Sequence, residues 1–207
     1  MSLKRKNNKK IIGLTGGIGS GKSTVSRLLG IMGIPVYIAD TESKRLTELS
    51  PVVRKKLTEK LGKDLYIKGK LNKALLASLI FQNEENLKYV NSVIHPVVRG
   101  DFERWKLRQA KYPVLVIETA ILFESGFSGL VDVSVTVAAP EDLRIRRIEL
   151  REGWSKVSII SRMQNQFPEE EKIRLSDYVI YNDDKTALIP QVEQMLKAAT
   201  AVKPISG

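Results

Sequence analysis

Residues 16 to 23 read Gly16-Gly17-Ile18-Gly19-Ser20-Gly21-Lys22-Ser23, a Gly-x-x-x-x-Gly-Lys-Ser pattern with Thr24 behind it. These residue types suit one task, holding a polyphosphate. Side chains at Gly16, Gly17, Gly19 and Gly21 would keep phosphate away from the backbone. Without them, successive N–H groups form an anion nest, and the N-terminus of a following helix adds partial positive charge. Gly17, Ile18, Gly19, Ser20, Gly21, Lys22, Ser23 and Thr24 are therefore the expected nucleotide-binding residues. Lys22 reaches the β- and γ-phosphates, and the Ser23 hydroxyl ligates the Mg²⁺ that accompanies ATP. At average glycine usage a chain this long matches the pattern by chance roughly once in a hundred times or less.

Four other places carry chemistry. Asp40 closes an apolar run, Ile34 to Ala39, that reads as a strand. Ligands of open parallel sheets lie beyond the carboxyl ends of the strands, so Asp40 stands where an acceptor would. The alternative is a cap for a helix starting Thr41-Glu42-Ser43. Glu118 ends the most apolar run, Pro113 to Ile117, and suits the second acid of a phosphate-loop enzyme, holding the water shell of Mg²⁺. His95, the single histidine, precedes Pro96; a tight turn between two helices is expected there, structural or acceptor-binding. Arg144, Arg147 and Arg151 recur at helical spacing. Such a face suits a lid that neutralises a migrating phosphate, or a surface helix paired with Glu141, Asp142 and Glu149.

The elements that would position these groups alternate in type. The run Ile11 to Thr15 reads as a buried strand and Lys22 to Leu29 as a helix, closed by Gly30 and Gly33. From Thr41 to Gln109 the pattern is mostly helical, with Pro51 opening one helix, Gly62 closing it and Asn72 capping another. Strands are expected at 113–118, 131–137 and 177–181, and a closing helix at 188–199. Glu169-Glu170-Glu171 reads as a solvated helix start.

Composition narrows the class. There are 207 residues, 43% hydrophobic and 28% charged, with no cysteine. That is ordinary for a globular α/β chain and excludes disulfides and thiolate metal sites. No run is apolar enough to span a bilayer, and the basic start lacks the core of a secretion signal, so no membrane partner and a cytoplasmic setting are expected. The net charge of +11 favours polyanions, either phosphate-rich small molecules or nucleic acid. The chain is short for a nucleic-acid motor and shows no basic-aromatic stacking motif, so a small-molecule substrate and no nucleic acid are expected. A catalytically silent nucleotide sensor is a third class, and Lys22, Ser23 and Asp40 together argue against it.

Several stretches together resemble the dephospho-coenzyme A kinase family, from about Lys10 to Leu196. They are Leu14 to Ser23, Ile38-Ala39-Asp40, Leu71-Asn72-Lys73 with Phe81, Ile94-His95-Pro96, Ile121 to Glu124, Arg147, Arg151, Arg162 and Gln166, and Ser176 to Asn182. Three places depart from the family pattern: Ile38 replaces the first acid of Asp-Ala-Asp, Ala120 replaces a proline, and Ser176 replaces an alanine. The resemblance implies an α/β P-loop three-layer fold with a core parallel sheet, an inserted helical substrate domain and a helical lid. The polar, basic start reads by its composition as a disordered tail over 1–9, and the resemblance implies one kinase domain over 10–202. The core would be 10–40, 112–140 and 176–202, the acceptor insertion 41–111 and the lid about 141–175. It also implies transfer of phosphoryl from ATP to the ribose 3′-hydroxyl of dephospho-coenzyme A, the last step of coenzyme A synthesis. Asp40, Lys22, Arg147 and Arg151 would then be catalytic. Asn182 would border adenine, while Asp40, His95, Arg99 and Glu118 would serve the acceptor. A monomer or weak homo-oligomer is expected.

Overall fold

The structure, a computed structural model, describes residues 9–81 and 83–201. The expected tail over 1–9 lies outside the described residues except for Lys9. The described residues form two compact units, one within Met1–Tyr37 and Gln109–Gly207 and the other within Ile38–Arg108.

In the first unit the chain opens with β1 (Lys10–Thr15), the phosphate loop and α1 (Lys22–Ile31). It continues through β2 (Val36–Ile38), which adds to the sheet edge. It then leaves for the second unit, which holds α2 (Ala39–Leu49), α3 (Pro51–Leu61), the hairpin β3 (Tyr66–Ile67) and β4 (Lys70–Leu71), α4 (Lys73–Phe81) and α5 (Glu84–Arg108). The return brings β5 (Val114–Glu118), β6 (Val133–Ala138), α6 (Glu141–Glu152), α7 (Lys156–Met163), α8 (Glu169–Leu175), β7 (Tyr178–Tyr181) and α9 (Leu188–Thr200).

The five-stranded sheet has the order β2-β5-β1-β6-β7. The pairs β1–β5, β1–β6 and β6–β7 are parallel, with Leu14 opposite both Glu118 and Val135. Interior parallel strands are covered on both faces, which is why β5 is a continuous run of Val, Leu, Val and Ile, while in the equally buried β6 the hydroxyls of Ser134 and Thr136, alternating with valines, donate to Asp177 and to the Lys172 carbonyl. One face packs Ile12, Leu14, Val116, Val135 and Val137 against Val25 and Leu29 of α1 and Val192 and Met195 of α9. Burying each such side chain contributes about 1.5–3 kcal/mol, so this layer fixes the strand ends that carry the loop and Glu118.

In the second unit α5 is one helix of 25 residues that runs through Pro96. The expected break at His95-Pro96 does not occur. Proline in a helix interior costs roughly 3 kcal/mol. Here Val90, Val93, Ile94, Val98 and Phe102 form one buried stripe on both sides of it, and that packing outweighs the lost hydrogen bond. Two further bonds knit the unit: the Tyr66 hydroxyl donates to the Thr47 carbonyl at 2.6 Å, and the Tyr89 hydroxyl to that of Lys56 at 3.1 Å.

A second correction concerns Asp40. The strand ends at Ile38 and α2 begins at Ala39, so Asp40 is the second residue of the helix and Ile38 its N-cap. Asp40 is not the cap of a later helix; its carboxylate instead sits in the first turn, where the helix dipole favours negative charge. A third concerns α8, which begins at Glu169 as the acidic run suggests, but with Glu169 half-buried and not solvated. Its acidic start continues into Lys172, which is fully buried against β6 and donates to Glu124 Oε1 at 2.7 Å and to the Ala120 carbonyl. A buried ammonium persists only with such partners.

Candidate active site

The phosphate loop leaves β1 at Thr15 and re-enters regular structure at Lys22. Gly21 is the N-cap of α1 at φ 94°, a left-handed conformation that costs glycine little. Its missing side chain also makes room for the Asn182 amide, which donates to the Ser20 carbonyl at 2.8 Å. Asn182 follows β7, and its own N–H is held by Ala138 at the end of β6. The loop is thus pinned from the sheet side.

Lys22 is buried, and its ammonium donates to the carbonyls of Gly16 at 2.9 Å and Gly17 at 3.3 Å. Those bonds curl the loop around the lysine. Ser23 and Thr24, in the first turn of α1, are exposed. One turn on, the Ser26 hydroxyl donates to Glu118 Oε2 at 3.2 Å, holding that buried carboxylate at the end of β5. Hydroxyl and carboxylate oxygens are donors of the kind that Mg²⁺ takes.

Three of the four arginines of α6 are in different situations. Arg144 is buried and pairs with Glu169 at 2.8 Å. Arg147 donates to the Asn182 carbonyl at 3.0 Å, to the Gly19 carbonyl at 3.5 Å and to Asp184. Arg151 is exposed and bonds its neighbour Glu152 at 2.8 Å. The loop is therefore met by Arg147 and Arg144, while among the described residues Arg151 makes no hydrogen bond to it. Glu169 is pushed above the ordinary carboxylate range by burial, opposed by the Arg144 charge. Gln166, beyond α7, accepts from the Ile18 N–H at 3.0 Å. The spacing of Arg144 signalled its helix face; nothing local signalled Glu169 as its partner.

Asp40, His95 and Arg99 belong to the second unit. His95 and Arg99 are one helical turn apart on α5, His95 half-buried and Arg99 exposed. Burial and the Arg99 charge both push the His95 pKa below its usual value. A histidine held neutral in the fold takes up its proton more readily when unfolded. Its contribution to stability is therefore present above about pH 6.5 and is lost as pH falls below that. In His95→Gln the melting temperature should fall less steeply between about pH 6.5 and 5 than in the parent chain. Thermal melts across that range check this, and parallel curves would contradict it.

A parallel sheet with a glycine loop clasping a helix N-terminus, a carboxylate on the next strand and helices inserted after the second strand define a phosphate-loop kinase. The family model described as Dephospho-CoA kinase matches residues 10–187. A dephospho-CoA kinase of Bacteroides fragilis is 44% identical over 185 residues, covering 89% of this chain and 90% of that one. That of Porphyromonas gingivalis is 42% identical over 194 residues, covering 93% and 96%. Among solved structures, TT1252 from Thermus thermophilus is 35% identical with a TM-score of 0.77, covering 92% of this chain and 96% of that one. The chain belongs to the dephospho-CoA kinase family.

Proposed function

We propose that this chain transfers the γ-phosphoryl group of ATP to the ribose 3′-hydroxyl of dephospho-coenzyme A, giving coenzyme A and ADP. The observation that carries this reading is the braced Gly16–Ser23 loop, with Lys22 at its centre, in a chain of this family.

Phosphoryl transfer asks for alignment and charge neutralisation more than covalent chemistry. Loop N–H groups and Lys22 hold the β- and γ-phosphates. Ser23 and, through water, Glu118 would hold Mg²⁺, which would offset phosphate charge when bound. Asp40 orients the acceptor hydroxyl and takes its proton late, as general base. The acceptor oxygen forms its bond to phosphorus as the bond to the bridging oxygen of ADP breaks. Arg147 and Arg151 supply positive charge from a lid formed by about 141–175. Asn182 borders the adenine. The inserted segment 41–111, through His95 and Arg99, grips the acceptor. Lid closure keeps water from taking the phosphoryl group. The working form is a monomer or weak homo-oligomer in the cytoplasm, with no nucleic acid or membrane partner.

The test is an acceptor panel. ADP release should appear with dephospho-coenzyme A, with a product heavier by one phosphoryl group, and not with nucleosides or nucleoside monophosphates. Excess EDTA should stop turnover and added Mg²⁺ restore it. Equal rates with a nucleoside would overturn the acceptor assignment, and EDTA-resistant turnover the metal assignment.

A further inference from the structure

The glycines of the loop are expected to be small because phosphate must come close. Gly17 is small for another reason. The space where its Cβ would stand is taken by the Arg144 guanidinium: a methyl group there would overlap Nη1 and lie 3.2 Å from Cζ. The backbone of the same residue fills the corresponding side of Gly19, with Arg144 Cα 3.0 Å from the place of a Cβ. Arg144 is only 7% exposed and cannot swing into solvent without leaving its pocket. Glu169 Oε2 accepts from its Nη1 at 2.8 Å, and Glu169 Oε1 accepts from the Ala139 N–H at 3.1 Å. The arginine is therefore anchored through one carboxylate to the end of β6. Between the two glycines, the Ile18 N–H is held by Gln166. Three successive loop residues are thus shaped by Arg144 of α6 and by Gln166, between α7 and α8.

We propose that Arg144, seated by Glu169, is a positioning residue for the phosphate loop. It sets the path of residues 17–19, and through that path the direction of the loop N–H groups that meet ATP. Nucleotide affinity is thereby coupled to the base of the segment 141–175. This rests on ATP being the ligand of the loop, and not on which acceptor is used.

A double-mutant cycle on ATP binding, read by calorimetry without acceptor, tests it. Gly17→Ala forces the guanidinium off Glu169 and should weaken ATP binding about tenfold or more. Arg144→Ala, which lets the loop relax, should also weaken it. In Gly17→Ala/Arg144→Ala the methyl group has room, so the double variant should bind ATP better than Gly17→Ala alone, a coupling well outside additivity. Singles that leave ATP affinity unchanged, or effects that simply add, would overturn the proposal. Should Arg144→Ala fail to fold, Glu169→Gln keeps shape and removes the anchoring charge. It should raise the KM for ATP about threefold or more while the acceptor KM and kcat stay within about twofold. An unchanged KM for ATP, or equal losses in every parameter, would overturn it as well. A parent chain that binds no ATP would instead overturn the function reading.

Discussion

Lys22→Ala is expected to fold and to lose turnover, with kcat down about 100- to 1,000-fold, or ~3–4 kcal/mol of transition-state stabilisation. The size follows from where the ammonium sits. It is buried at the first residue of α1, within hydrogen-bonding distance of two loop carbonyls, so its charge acts in a site that water screens poorly. The helix N-terminus and loop N–H groups remain in the variant and still attract phosphate, so ATP binding should fall less than kcat. The stability loss should be modest, about 1 kcal/mol for each lost hydrogen bond to Gly16 and Gly17. Coupled ADP release with dephospho-coenzyme A, beside a thermal melt, measures both. Activity within tenfold of the parent chain would remove Lys22 from the transferring machinery.

What the sequence makes legible is local. The first strand, the loop and α1 are readable because an apolar run, a glycine pattern and a helical apolar face follow one another within about two dozen residues. Ser50, Asn72 and Ser155 cap their helices as their types suggest: each side-chain oxygen accepts from a backbone N–H three residues on. Gly62 and Gly153 end α3 and α6 at positive φ. The misses share a cause in tertiary packing. Pro96 reads as a break because the signal of one proline is local, whereas the stripe from Val90 to Phe102 that keeps α5 whole is not. Glu169 reads as solvated along with its two acidic neighbours, yet it is half-buried, and Arg144, which partners it, is 25 residues away. Gly17 reads as a phosphate-facing glycine, yet its open side is filled by Arg144, 127 positions on in the chain. Pattern reading finds the face of α6 that carries arginines. Which of them meets the loop depends on Glu169, Asn182 and Asp184, contributed by later elements.

Asp40→Asn carries the second large effect: kcat should fall about 100-fold or more while ATP affinity stays within about threefold. Asparagine keeps the size and the hydrogen-bonding reach of the side chain but cannot take a proton. A loss confined to kcat therefore reports proton transfer and orientation, not folding. The position in the helix supplies the competing explanation. As the second residue of α2, Asp40 also offsets the helix dipole, which contributes about 0.3–1 kcal/mol to stability, part of which asparagine would forfeit. The two roles predict different things. A base shows a collapsed kcat at nearly constant melting temperature, and a dipole partner shows a lowered melting temperature with kcat intact. Glu42, also in the first turn of α2, is the internal control: Glu42→Gln removes a like charge from the same dipole, and with it the ion pair to Arg45, so its melting temperature sets an upper limit on the dipole effect. If Glu42→Gln lowers the melting temperature as much as Asp40→Asn does and leaves kcat alone, the stability part is common to the helix start and the kinetic part belongs to Asp40. If both variants behave alike in kcat, Asp40 is a helix residue and the general base must be sought elsewhere.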